Sequence, residues 1–351
     1  MIRRHKIVEE DLDRIIESNL AWKRFEGKTI LITGAGGFLP AYAVETILRL
    51  NERILNKPAS VLALVRDETK ARKRFACYQS RTELKFIVQD VCEPLVWDSP
   101  IDFIIHAASN ASPKYFGIDP VGTFTANVIG TYNLLELARM KSSQGFLFVS
   151  SSEVYGQVNA DFIPTGETTF GYLDPAQVRS CYAESKRMGE TMCVSYARQF
   201  GIPTKIVRPF HTYGPGMHLD DGRVFADFVA DVVHHRDIVI KSDGGASRSF
   251  CYLGDVIEAI FTVMLEGEIA RPYNVGDEQS ELSVASLAEL LVNLFPERNL
   301  KVVKQKVQSD NSYLASPITR ICPDTRAVRA LGWKPVTSVT EGFLRTVRSF
   351  E

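Results

Sequence analysis

The sequence has few of the features that would mark a metalloprotein, a secreted scaffold or a membrane protein. Six cysteines (Cys77, Cys92, Cys181, Cys193, Cys251 and Cys322) are scattered through 351 residues, with no CxxC pair among them. Zinc-ribbon and thioredoxin-like readings lose their support, and free thiols in a reducing compartment are expected. There is no HExxH, and the adjacent His234 and His235 are expected on different sides of a helix, so no metal site is expected. No apolar run approaches the roughly 20 residues that span a bilayer. The stretch from Met1 to Phe25 is charged throughout and lacks the apolar core of a signal peptide. A cytoplasmic protein with no membrane partner is expected. The formal net charge is -1 with no basic block, which gives nucleic-acid binding little electrostatic support. No internal repeat or low-complexity tract is present.

What remains is ordinary globular material, 45% hydrophobic and 24% charged. The length fits one large α/β unit or two closely joined lobes. Val8, Leu12, Ile15, Ile16 and Leu20 recur at helical spacing, predicting an amphipathic helix over residues 7–25. Short apolar runs then alternate with helical segments. Strands are predicted at 28–33, 61–65, 86–88, 101–105, 146–149 and 205–207, and helices at 40–50, 120–140 and 182–199. This alternation implies a Rossmann-type doubly wound parallel sheet covered on both faces. After Pro209 the pattern loosens into Gly-, Asp- and Arg-rich loops with helices at 224–233 and 283–294. The organisation expected is an N-terminal helical extension (1–27), a dinucleotide-binding Rossmann domain (28–210) and a smaller, interleaved substrate-binding lobe (211–351), with segments returning to the first domain.

Thr33-Gly34-Ala35-Gly36-Gly37-Phe38-Leu39-Pro40 stands between a predicted strand and a predicted helix. Glycines there permit a tight turn and bring backbone N–H groups to a pyrophosphate at a helix N-terminus. Gly34 and Gly37 occupy the required places. Pro40 replaces a third glycine and suits a first helical turn. At the end of the second strand an acid would bond the adenosine ribose and favour NAD, whereas an arginine would face a 2′-phosphate and favour NADP. Arg66 and Asp67 stand there together. NAD is the cofactor expected, with NADP left open by Arg66.

Tyr182 and Lys186 lie one helical turn apart on one face. A cationic lysine is expected to lower the tyrosine pKa, so that a phenolate takes a hydroxyl proton during oxidation. Ser151, at the end of the fifth strand, would orient the reacting oxygen. A Tyr-x-x-x-Lys spacing means little by itself; its position after a serine run, downstream of the glycine loop, gives it weight.

These segments resemble the extended short-chain dehydrogenase/reductase family of nucleotide-sugar epimerases, dehydratases and decarboxylases. The resemblance runs from about Lys28 to the C-terminus. It rests on the glycine loop, Asp90-Val91, His106-Ala-Ala-Ser109, Asn127, Ser150-Ser-Ser-Glu-Val-Tyr-Gly156, Tyr182-x-x-x-Lys186, Arg208-Pro-Phe-His-Thr-Tyr-Gly-Pro215, Arg248-Ser-Phe-Cys-Tyr252, Asp255, Tyr273-Asn-Val-Gly276 and Leu331-Gly-Trp-Lys-Pro335. It implies a catalytic set of Ser151, Tyr182, Lys186 and Glu153. It implies a dinucleotide held by Gly34, Gly37, Phe38, Leu39, Arg66, Asp90, Val91, Ala107, Ala108, Ser109, Asn127 and Pro209 together with Tyr182 and Lys186. It also implies a nucleotide-diphosphate sugar bound by Ser109, Ser152, Glu153, His211, Arg223, Arg248 and Arg320, with Arg248 meeting the diphosphate.

Segments 180–193 and 214–224 are most similar to the UDP-glucuronate decarboxylase group, which usually has arginine where Gly216 stands and asparagine where His211 stands. Once C4 of the sugar is a ketone, a carboxylate at C6 is a β-keto acid. Dehydration needs an acid at C6, and Ser152 is too weak a one. Decarboxylation needs none, and a plain 4-epimerase leaves Glu153 unexplained. Ser151 and Glu153, two apart in an extended segment, are expected to face one pocket. Decarboxylation, 4-epimerisation or 4,6-dehydration, and a dinucleotide-binding regulator without turnover stay open in that order. The resemblance implies a homodimer through helices 120–140 and 182–199, whose segments Thr131–Arg139 and Thr191–Arg198 carry apolar residues on more than one face.

Overall fold

A computed structural model describes residues 4–305 and 318–351. The strands are β1 (Thr29–Thr33), β2 (Ser60–Val65), β3 (Leu84–Val88), β4 (Phe103–His106), β5 (Gly145–Val149), β6 (Thr204–Pro209), β7 (His211–Tyr213), β8 (Ile238–Ile240), β9 (Ser247–Tyr252), β10 (Pro272–Val275), β11 (Glu281–Ser283), β12 (Val302–Lys304) and β13 (Arg320–Ile321). Seven of them form one parallel sheet in the order β10-β6-β5-β4-β1-β2-β3. Both neighbours of β1 pair with it in register, Ile30 meeting Val61 on one side and Phe103 on the other.

Strand periodicity sends alternate side chains to opposite faces, and both faces of this sheet are apolar. Ile30, Ile32, Val61 and Ala63 join a core with helices α1 (Lys6–Ile16) and α2 (Phe38–Arg53) and with segment 253–265. Leu31, Leu62 and Leu64 join the opposite core with Leu134, Leu135 and Ala138. That second layer is built from α5 (Pro120–Lys141) and α6 (Ser180–Phe200), while α3 (Glu68–Arg74) and the one-turn α4 (Lys114–Ile118) sit at the sheet's C-terminal edge. Strand order reverses between β1 and β4, which opens a crevice at the carboxyl ends of those strands, the usual place for a ligand in such sheets.

The N-terminal segment departs from the continuous helix expected over 7–25. The helix stops at Ile16, and a 3-10 turn, Trp22–Phe25, follows. The Ser18 hydroxyl donates back to the Ile15 carbonyl (2.7 Å), and the Trp22 indole N–H donates to the Ser18 carbonyl (3.1 Å). The break lets Trp22 and Phe25 both meet Phe261 edge-on, at 5.4 and 5.9 Å. The helix itself is pinned by Asp11, which is buried and accepts hydrogen bonds from the hydroxyls of Tyr42 (3.1 Å) and Tyr252 (2.6 Å) and pairs with Arg345 (2.8 Å).

Beyond Pro209 a second core forms around Tyr213, Phe225, Phe228, Phe250, Leu287, Leu291 and Phe343. It carries α7 (Val224–Val233) and α9 (Val284–Leu294), with small sheets made by β7, β9, β11 and β13 and by β8 and β12, whereas α8 (Leu253–Glu266) belongs to the first core. Strand β10 returns to the large sheet beside β6, and the buried α8 packs on it.

Candidate active site

The turn from β1 into α2 needs its glycines. Gly34 has φ +64°, and a Cβ there would lie 2.8 Å from the Ala108 Cα. Its carbonyl accepts the Gly37 N–H at 2.8 Å. The Thr33 hydroxyl accepts from the N–H groups of Ala107 (3.2 Å) and Ala108 (3.1 Å), drawing the end of β4 against the loop. It also bonds His106 Nδ1 at 2.8 Å; burial drives that imidazole's pKa down to about 3, so it is neutral. Pro40, at the third helical position, gives up an N–H that has no intrahelical acceptor.

Two cavities meet at this turn. One, of about 360 Å³, is lined by Gly34, Gly37, Phe38, Leu39, Ala107, Ser109, Ser151, Ser152, Glu153, Tyr182, Lys186, Pro209, His211 and Arg223, among others. The other, of about 310 Å³, is lined by Arg66, Asp67, Lys70, Asp90, Val91 and Ala108 around the same glycines. Gly34, Gly37, Ser109 and Asn110 belong to both, so a single groove crosses the strand-order switch point. A left-handed glycine without space for a Cβ, a helix N-terminus and the buried, unpartnered Ser109 hydroxyl all fit a dinucleotide lying in it.

Helix α6 presents Tyr182 and Lys186 to the larger cavity, both buried. Phe116 stacks on the Tyr182 ring at 5.0 Å. Lys186 Nζ donates to the Val149 carbonyl at 2.7 Å and sits 4.9 Å above the Phe148 ring. Burial pushes the Tyr182 phenol up to about 12, and a hydrogen bond with the Ser151 hydroxyl pulls the other way. Burial likewise drives Lys186 down to about 7. Withdrawal from water is the largest influence on both groups.

Ser151 and Glu153 do share this cavity, but not as an extended pair. Residues Ser152–Tyr155 form a 3-10 turn, and the Ser151 hydroxyl caps it by accepting the Glu153 N–H at 3.2 Å. The Glu153 carboxylate pairs with Arg179 at 3.0 Å. Beneath the turn, Glu190 accepts from the Ser150 hydroxyl (2.5 Å) and pairs with the buried Arg208 (2.6 Å), which also donates to the Tyr155 hydroxyl (2.9 Å). Sequence reasoning gave no site role to Arg179, Glu190 or Arg208. Glu190 follows Lys186 by four residues, so its helix face was readable. Nothing in the local sequence marks Arg179 as the partner of Glu153.

The remaining predicted residues divide. His211 lines the larger cavity with its ring edge-on to Phe225 and Phe250 and Nδ1 buried without a partner. Burial, then the charges of Arg248 and Arg223, hold its pKa well below the ordinary histidine range. Arg223 lines the same cavity and pairs with Asp221, whose carbonyl accepts from Ser112. Arg248 instead donates to the carbonyls of Ser247 (2.7 Å), Ile318 (2.8 Å) and Thr319 (3.1 Å), and it lines neither cavity. Arg320 makes a two-point pair with Glu281 at 2.7 and 2.9 Å. Asn127 is buried inside α5, donates to Thr123 (3.1 Å) and Ser185 (3.0 Å), and lines neither cavity. At Gly216 (φ +78°) the Arg74 guanidinium fills the space beside the backbone, Nη1 lying 2.6 Å from where a Cβ would stand. Among the described residues no cluster of metal-ligating side chains occurs, and no helix is long and apolar enough to cross a membrane.

A buried tyrosine–lysine pair and a serine hydroxyl beside a glycine-rich strand-to-helix turn define a dinucleotide-dependent enzyme of the short-chain dehydrogenase type. The family model described as NAD dependent epimerase/dehydratase matches residues 30–276. The chain belongs to that family. It is 34% identical over 314 residues to UDP-glucuronic acid decarboxylase 6 of Arabidopsis thaliana, covering 89% of this chain and 86% of that one. The solved UDP-glucose 4-epimerase of Thermotoga maritima superposes with a TM-score of 0.77 at 22% identity, covering 92% of this chain and 98% of the other. The UDP-glucuronic acid 4-epimerase of Bacillus cereus, solved with NAD, gives 0.74 at 21%, covering 92% and 98%. The two structural likenesses show the fold.

Proposed function

We propose that this enzyme binds a nucleotide-linked uronic acid, oxidises it transiently at C4 and releases carbon dioxide, as the UDP-glucuronic acid decarboxylases it resembles are named for doing. One observation carries the reading: Ser151, Tyr182 and Lys186 converge on the cavity that continues into the glycine-lined groove. In this reading residues 28–210 hold mainly the dinucleotide and residues 211–351 mainly the nucleotide sugar. The dinucleotide, when bound, supplies the oxidising equivalent. Ser151 orients the reacting hydroxyl, Tyr182 accepts its proton as the phenolate, and Lys186, 5.7 Å from the Tyr182 ring, stabilises that phenolate when protonated. Phe116, stacked on Tyr182, keeps water from the ring. Ser152 offers no strong acid at C6, which suits loss of carbon dioxide better than loss of water.

Glu153 supports a second reading. Its carboxylate is held by Arg179, away from proton transfer, as a plain 4-epimerase would allow. Incubation with UDP-glucuronate, read by mass, separates the two. Loss of carbon dioxide supports the decarboxylase; unchanged mass with altered stereochemistry supports the epimerase; an unaltered substrate refutes both for this sugar.

The assembly proposed is a homodimer. Ile129, Tyr132 and Met140 on α5 and Met188, Val194 and Phe200 on α6 expose apolar side chains on neighbouring helices, and a second copy of the same pair would cover them. Six free cysteines suit a reducing compartment, and we place the protein in the cytoplasm.

A further inference from the structure

We infer that Arg179 decides whether the larger cavity accepts an anionic sugar: by holding the Glu153 carboxylate, it offsets the negative charge that would repel a uronate. The inference rests on the reading of that cavity as a nucleotide-uronate site and adds a positioning residue to it, whichever of the two reactions follows.

Ser151 and Glu153 both line the cavity, and the Glu153 N–H donates to the Ser151 hydroxyl at 3.2 Å. In a hexuronic acid the carboxyl carbon is joined to C4 through C5 alone. A sugar with its C4 oxygen at Ser151 and Tyr182 therefore brings its carboxylate to the neighbourhood of Glu153. The Glu153 charge already acts on this region. After burial and the Ser151 hydrogen bond, it is the next influence on the Tyr182 phenol, which it pushes up. Two carboxylates sharing one site strongly disfavour each other's charge. Among the described residues that line the cavity, the acids are Glu153 and Asp221, and each is held by an arginine, Arg179 and Arg223 respectively.

The place of Arg179 in the fold argues for this task rather than for helix stability. It stands at the N-terminal cap of α6, three residues ahead of Tyr182, and makes no side-chain capping bond. A cation is disfavoured there, because the helix dipole favours an anion at that end. The side chains of Arg179 and Glu153 are only 17% and 22% exposed, so water and salt screen their pairing little. The guanidinium also lies 5.9 Å from the centre of the Phe116 ring, the ring stacked on Tyr182. Arg179 itself lines neither cavity, so it acts on the sugar through Glu153.

The test is calorimetric titration of the full-length chain with UDP-glucuronate and with UDP-glucose, in the Tyr182→Phe background so that neither is consumed. Arg179→Gln is expected to lower the ratio of UDP-glucuronate to UDP-glucose affinity by on the order of tenfold to a hundredfold, the scale on which a neighbouring charge moves an ionic equilibrium. Arg179→Lys, which keeps the charge, should hold most of the ratio. Adding Glu153→Gln to Arg179→Gln should restore it, a rescue that a purely structural arginine would not give. Glu153→Gln with Arg179 intact removes a negative charge from the cavity and should raise the ratio; this arm stands even where Arg179→Gln fails to fold. An unchanged ratio in Arg179→Gln overturns the inference, as does an unchanged or lowered ratio in Glu153→Gln. Binding of UDP-glucuronate to the Tyr182→Phe chain then leaves the reading of the cavity intact. Failure of UDP-glucuronate to bind that chain overturns the inference together with the reading on which it rests.

Discussion

Two glycines separate backbone strain from steric exclusion in this fold. Gly34 and Gly201 have nearly the same left-handed backbone, φ +64° and +69°. An alanine at either position carries a strain of roughly 1–2 kcal/mol. At Gly201, which closes α6, a Cβ meets nothing within 4 Å. At Gly34 it meets the Ala108 Cα at 2.8 Å, the Ala108 N at 3.1 Å and the Ala107 carbonyl oxygen at 3.3 Å. All three are backbone atoms of the segment after β4 and cannot swing aside. Overpacking of this kind adds about 1–3 kcal/mol. Gly201→Ala is therefore expected to destabilise by about 1–2 kcal/mol, and Gly34→Ala by about 2–5 kcal/mol. The second change also pushes the end of β4 away from the loop, altering the wall shared by both cavities. Thermal unfolding of the two variants, with dinucleotide titration on each, measures the difference. Gly34→Ala should unfold at a clearly lower temperature and lose most dinucleotide affinity, whereas Gly201→Ala keeps it. Equal melting temperatures and equal affinities in the two variants would refute the argument that close approach, rather than backbone strain, requires glycine at residue 34.

Tyr182→Phe keeps the ring stacked on Phe116 and removes only the hydroxyl; turnover should fall by several orders of magnitude, at about 1.4 kcal/mol per tenfold, while dinucleotide still binds, and near-normal turnover would remove Tyr182 from the chemistry. Glu153→Gln should slow whatever follows oxidation, so that reduced nicotinamide absorbance accumulates with a uronate substrate; an unchanged rate with product mass equal to substrate mass favours the epimerase. Lys186 has a folded value of about 7, below its ordinary unfolded value. The native state therefore binds fewer protons than the unfolded chain above pH 7, and stability from this group rises with pH across that window. Lys186→Met should accordingly stabilise the protein most below pH 7, by on the order of a few kcal/mol, with the advantage shrinking towards pH 10; a pH-independent difference in melting temperature contradicts this. Ile129→Asp with Val194→Asp should convert a dimer into a monomer by light scattering, and a monomer in the unmodified chain at micromolar concentration eliminates the proposed interface.

The sequence alone was enough for the family and the fold class, because both depend on local chemistry. Apolar runs of strand length, helical spacing in 120–140 and 182–199, and the strand–glycine–helix order at residues 28–40 are properties of neighbouring residues. The Tyr182–Lys186 spacing is of the same kind. The limits of local reading appear at residues 7–25, where helical periodicity was real but the chain broke at Ser18 to bury Trp22 and Phe25 against Phe261. They appear again at Glu153, where a 3-10 turn capped by Ser151 replaced the extended pair.

Tertiary structure decided the partners. Arg179 precedes its helix without any local signal, yet the fold carries it to Glu153. Arg248 is drawn to three backbone carbonyls and Arg320 to Glu281, contacts that no local spacing announces. Arg74 fills the space at Gly216 from the end of a helix more than a hundred residues earlier in the chain. The ionisation of Tyr182 and Lys186 was beyond sequence for the same reason: burial sets it, and burial is a property of the packed whole. Residue types and spacings are written along the chain, but distances and solvent exclusion exist only once distant segments have met.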